Sequence, residues 1–247
     1  MSGGLTVKEK ISAPKQSVGA KNIVIFVMMA CTAVGITVSA IYNKQNFIEI
    51  MPLYVSLVIA LLQSRVNRYA SLLGSFNSIV YAIVYFGFKI HGAALSALFF
   101  SFPIQLITFI RWNKNKSGNS TVLRKLGARR LVLLSVCCVA SLAALWIILP
   151  LIGSDYVYLD GVTTLLGIIV YFLTMFAYIE YPIFMVANGL LNIALNARMV
   201  KDNPNVLPHL IFAVYSLVCI VFAAFEARKL YESQQKEKAG MVNENEN

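Results

Sequence analysis

The sequence predicts an all-α integral membrane protein with eight transmembrane helices, and three observations carry the prediction. Hydrophobic residues make up 58% of the 247 and charged residues 13%, with a mean hydropathy of +0.71. A soluble domain carries about a quarter charged residues and cannot cover so much apolar surface, whereas lipid solvates it. Apolar runs of spanning length recur along the chain, parted by short polar breaks. The net charge of +10 gathers in the first 21 residues, in short breaks and after Glu226. That is the pattern of cytoplasmic loops rather than of a nucleic-acid-binding surface.

The stretch 1–21, with Lys8, Lys10, Lys15 and Lys21, reads as a cytoplasmic tail. The first span covers 22–42; its apolar core is too long for a signal peptide and lacks an A-x-A-like exit, so the helix is retained. Spans two and three cover 47–64 and 69–88 around Arg65-Val66-Asn67-Arg68, and the fourth covers 92–112. The longest break, Asn113 to Arg129, is polar and basic. A fifth span at 130–152 ends at Gly153-Ser154-Asp155, and a sixth covers 160–179. Glu180 marks an interface, Pro182 begins the seventh span at 182–199, and Pro204 precedes the eighth at 207–228, with 229–247 as a second tail. With the amino terminus inside, seventeen of the 21 Lys and Arg fall in cytoplasmic segments and four outside. One missed helix would invert everything after it, so both termini are expected in the cytoplasm.

Cys31, Cys137, Cys138 and Cys219 lie in apolar runs with no CxxC pair or nearby His, and read as small apolar filler. No metal and no cofactor is expected. Spans three and seven share a pattern. Gly74-x-x-Asn77 is followed by Tyr81, and Gly189-x-x-Asn192 by Asn196, so each trio lies on one helical face. Asn facing lipid is costly, so these faces are expected to meet protein, water or a ligand; packing glue between helices is the plainer alternative. The two motifs sit in two triplets, 47–112 and 160–228, with a cytoplasmic loop and linker helix at 113–159 between them and an extra helix at 22–46 before them. An odd linker makes the triplets parallel repeats, a plan used by small-solute transporters.

From Arg65 to Trp112 the chain resembles the PnuC family of bacterial vitamin transporters. The matching elements are Arg65-x-Asn67, Gly74, Tyr81, Tyr85-Phe86, Pro103-Ile-Gln105 and Trp112-Asn-Lys114; later come Ile179-Glu180-Tyr181-Pro182-Ile-Phe184 and Tyr215. The resemblance implies a 3+1+3 SWEET-like core with one extra amino-terminal helix, in a bacterial inner membrane. It implies facilitated diffusion of an unphosphorylated vitamin precursor, nicotinamide riboside first, with thiamine, riboflavin or a deoxynucleoside as the alternatives. It further implies trapping by a cytoplasmic kinase and a homotrimer. With only Trp112 and Trp146, the second half is poorer in Trp than the family's; Tyr171, Tyr178 and Tyr181 stand there instead.

No acidic or basic residue lies at mid-span, where a proton- or sodium-coupled carrier keeps a carboxylate, which favours an uncoupled uniporter. The polar residues at depth are neutral. Asn77, Tyr81, Gln105, Tyr171, Asn188, Asn192, Asn196 and Tyr215 are the candidate substrate-binding residues, with Thr163 and Thr164 nearby. Amides and hydroxyls match ribose hydroxyls and a carboxamide, and aromatic faces stabilise a heterocyclic cation. Pro103 and Pro182 are candidate hinges. Tyr42, Tyr69 and Trp112 read as interfacial anchors, Arg124 to Arg130 as a topology determinant able to attract anionic lipid, and His91 and His209 as outer-surface residues. A non-transporting sensory membrane protein is the other reading. An intramembrane enzyme ranks last, for want of a catalytic cluster at depth.

Overall fold

Away from water a backbone must satisfy its polar groups within its own segment, so each apolar run folds as a helix. The computed structural model describes residues 20–245; the rest of the basic amino-terminal tail lies outside the described residues. The helices are α1 (Ala20–Tyr42), α2 (Phe47–Gln63), α3 (Tyr69–Gly87), α4 (His91–Lys114), α5 (Ala128–Leu151), α6 (Val157–Met175), α7 (Tyr181–Asp202) and α8 (Leu207–Asn245). Seven of these segments are long and apolar enough to cross a membrane, and α2, with 17 residues, is shorter.

The breaks are built locally. α1, α2, α3, α5 and α6 are each followed by a residue with left-handed backbone: Lys44, Val66, Lys89, Gly153 and Ala177. The next N–H then reaches back five residues, as from Asn67 to the Leu62 carbonyl and from Tyr178 to that of Leu173, both 3.0 Å. Pro182 sits in the first turn of α7, where its missing N–H has no helical partner to lose.

Packing joins six helices into a closed ring. α3 lies between α2 and α4, and α7 between α6 and α8; α4 then meets α6, and α8 meets α2. The other two helices sit outside the two seams. α1 packs on α8 and α2, where Gly35 faces Ile211 and Thr37 Oγ1 bonds the Tyr54 hydroxyl at 2.6 Å. α5 packs on α6 and touches α4, presenting apolar residues such as Val139 and Leu151 outward.

The helices run between two chemically different ends. At one end the basic segments meet. A short hairpin of β1 (Lys116–Ser117) and β2 (Ser120–Thr121) receives the Arg68 N–H at the Asn119 carbonyl, 3.1 Å. Arg124 exchanges backbone bonds of 2.8 Å with Ala177 and Ile179, and both Glu180 carboxylate oxygens accept from the Leu126 N–H at 3.1 Å. α8 runs past residue 228, where the span was expected to stop, and buries Gln234. Its amide donates to the Thr121 carbonyl (3.0 Å) and accepts from the Leu123 N–H (2.9 Å). Trp112 is not an interfacial anchor: it is 3% exposed, and its Nε1 donates to the Thr174 carbonyl at 2.9 Å. At the opposite end Asn43 donates to the Pro204 carbonyl (3.3 Å), and Lys89 pairs with Asp155 (3.7 Å).

Candidate functional site

The ring encloses a cavity of about 300 Å³ whose wall is drawn from all six of its helices and from neither α1 nor α5. Seven of the residues expected to bind substrate line it: Asn77, Tyr81, Gln105, Tyr171, Asn188, Asn192 and Asn196. So do both glycines of the repeated Gly-x-x-Asn pattern, Gly74 and Gly189, which places all six pattern positions in one wall. Tyr215 lies apart. Its ring packs with Ile36, Leu53, Leu57 and Cys219, and its hydroxyl faces the Leu57 carbonyl at 3.4 Å.

On α3, the Asn77 amide donates to the Pro52 carbonyl (3.0 Å) and to Ser56 Oγ (2.8 Å), while Ser56 donates to the Tyr81 hydroxyl (3.0 Å). A carbonyl only accepts, so the Pro52 contact fixes the amide's orientation and leaves Asn77 Oδ1 as an acceptor with no partner in the protein. Tyr81 stacks on Tyr85, with ring centroids 5.2 Å apart.

On α4, the turn Ala97–Ser101 widens to π geometry just before Pro103. Proline lacks an N–H and its ring crowds the carbonyl four residues back, and a widened turn relieves both. Below the turn, Gln105 Nε2 donates to Ser101 Oγ and to Ser78 Oγ (3.2 Å). Its Oε1 lies against Gly74, at a spot 2.0 Å from where a Cβ would stand. On α7, the amide of Asn192 donates to the carbonyl of Asn188 (2.9 Å) and that of Asn196 to Asn192 (2.7 Å), and Asn188 Oδ1 has no partner.

Two features escaped the sequence reading. His209, expected near the outer surface, is 5% exposed and lines the cavity from the first turn of α8. A single His at a span end carries no periodic signal; only the ring closure turns it inward. Asp160, in the first turn of α6, is fully buried beside this site. Its carboxylate accepts from the Gly92 and Ala93 N–H groups (both 2.9 Å), Ser154 Oγ (2.9 Å) and Thr164 Oγ1 (3.2 Å). It thus caps the amino terminus of α4 from another helix, a favourable place for a negative charge.

Buried apolar clusters flank the cavity. Ile90, Leu195, Met199 and Val206 pack at the opposite end, and Trp112, Leu173, Tyr178 and Tyr181 at the basic end. A second cavity of about 80 Å³ on the basic side shares Gln63, Gln105, Val170, Tyr171 and Met185 with the main one. Among the described residues, none that lines the main cavity is Lys, Arg, Asp or Glu.

Residues 46–229 match the family model described as nicotinamide mononucleotide transporter. The fold is similar to the crystal structure of the vitamin B3 transporter PnuC, with a TM-score of 0.75 at 20% identity, over 88% of this chain and 94% of that one. No curated protein matches the sequence.

Proposed function

Because the chain belongs to the nicotinamide mononucleotide transporter (PnuC) family of membrane transporters, we propose that it carries an unphosphorylated vitamin precursor, nicotinamide riboside first, by facilitated diffusion. The observation that carries this reading is the neutral cavity wall. A phosphate group there would be stripped of water with no cation to receive it, whereas hydroxyls, a carboxamide and a delocalised ring cation meet amides and aromatic faces. A volume of about 300 Å³ suits one small molecule. The same neutrality leaves no carboxylate in the wall for proton or sodium coupling, since Asp160 stands behind it with its oxygens taken up by four donors, so uptake is one-way only if a cytoplasmic kinase traps the product. Thiamine, riboflavin and deoxynucleosides remain the alternative cargoes.

Eight spans with two parallel triplets complete the proposal. Its support is the way α3 and α7 occupy matching middle positions in the ring, with α5 and α1 at the two seams. Asn77, Tyr81, Gln105, Tyr171, Asn188, Asn192 and Asn196 form the proposed binding set, and Tyr215 supports it from behind.

Counterflow in liposomes tests the reading. Nicotinamide riboside should exchange without an ion gradient while its 5′-phosphate does not, and Asn77→Ala or Gln105→Ala should lower uptake at least tenfold with insertion intact. Absence of flux for every candidate would favour the sensory reading, and equal flux of the phosphate would overturn the substrate class.

A further inference from the structure

Resting on that reading, we infer that His209 is a specificity-determining residue: its Nε2 accepts a hydrogen bond from a hydroxyl or amide N–H of the ligand. Two observations lead there. His209 is 5% exposed, lines the cavity, and its Nε2 has no hydrogen-bond partner within the protein. Its ring is held edge-on between Tyr81 (centroids 6.2 Å) and Phe88 (5.2 Å), so it is not free to turn away.

In the neutral imidazole one ring nitrogen carries the proton and the other keeps its lone pair, and we place that lone pair on the unpartnered Nε2. Its neighbours in the wall are of the same kind: the Pro52 carbonyl fixes the Asn77 amide and leaves Asn77 Oδ1 as an unpartnered acceptor. Asn188 Oδ1 is a third unpartnered acceptor in the same wall, and none of the described residues lining the cavity adds a buried unpartnered N–H. A wall of acceptors selects a ligand that brings donors. A nucleoside with free hydroxyls and a primary carboxamide does so.

Binding by the full-length protein in detergent, measured for nicotinamide riboside and for analogues that each lack one donor (2′-deoxy, 3′-deoxy, 5′-deoxy and N,N-dimethylcarboxamide), tests this. In wild type each donor that meets a buried acceptor should be worth about tenfold in Kd. His209→Phe, which keeps the ring shape, should weaken nicotinamide riboside about tenfold and abolish the penalty for one analogue while leaving the others. His209→Gln, which carries an acceptor to nearly the same place, should restore that penalty. Should the Phe variant fail to fold, His209→Met replaces it. Donor penalties that all persist in the variant would mark His209 as packing only and overturn the inference alone. A wild-type protein that binds none of the panel would overturn the substrate reading and this inference with it.

Discussion

Gly74 matters for the atom it lacks. The Gln105 amide occupies the space a Cβ would fill, 2.0 Å from its oxygen, and the contact is with the far end of a flexible side chain. Gly74→Ala should therefore push Gln105 out of its bonds to Ser78 and Ser101 without unfolding the ring. Transport should fall about tenfold, on the scale of a lost hydrogen-bond set, with melting in detergent nearly unchanged; full activity would remove Gln105 from the site. Asp160 is the opposite case. Asp160→Asn replaces one acceptor oxygen with an NH2 that cannot accept from the donors facing it and removes the charge at the α4 terminus, so stability should drop by about 2 kcal/mol, read as a lower unfolding midpoint. At this scale the sequence was legible wherever a polar residue interrupted an apolar run at helical spacing, as at Asn77, Gln105 and Asn192. His209 and the buried cap at Asp160 were not, because both lie at span ends, where polar residues ordinarily meet water.

Along the chain, helix positions followed from hydrophobic runs and their breaks: the expected span 47–64 is α2 (Phe47–Gln63), and 69–88 is α3 (Tyr69–Gly87). The terminating backbone was hidden, since four of the five left-handed caps are Lys, Val or Ala rather than Gly. The π turn was hidden too: Ala97-Leu98-Phe99-Phe100-Ser101 is ordinary helical sequence, and its only signal is Pro103 beyond it. The extra residue in that turn sets the rotation of Ser101 and Gln105 toward the cavity. Pro103→Ala restores an N–H and lets the turn relax to α geometry. Transport should then fall severalfold while stability holds or rises, whereas unchanged transport would detach the π turn from the site.

Among the described residues, the basic segments around Arg68 and from Lys114 to Arg130 gather at one end of the molecule. Arg68 reaches the 116–121 hairpin, and Gln234 of α8 holds the same loop from the other side. If that end is cytoplasmic, as the distribution of Lys and Arg predicts, tags on both termini should resist protease in intact spheroplasts and be cut in inverted vesicles. Cleavage of either from outside would invert the orientation. Composition and charge by themselves determined that the chain lives in a bilayer, where its helices lie, and which neutral polar residues are too costly to face lipid. These are properties of single segments and of transfer from water to lipid. Only the tertiary structure decided that Asn77 and Asn192 share one cavity, that Tyr215 stands behind its wall, and that His209 turns into it. Such neighbours belong to different helices, and what brings them together is the packing that closes the ring.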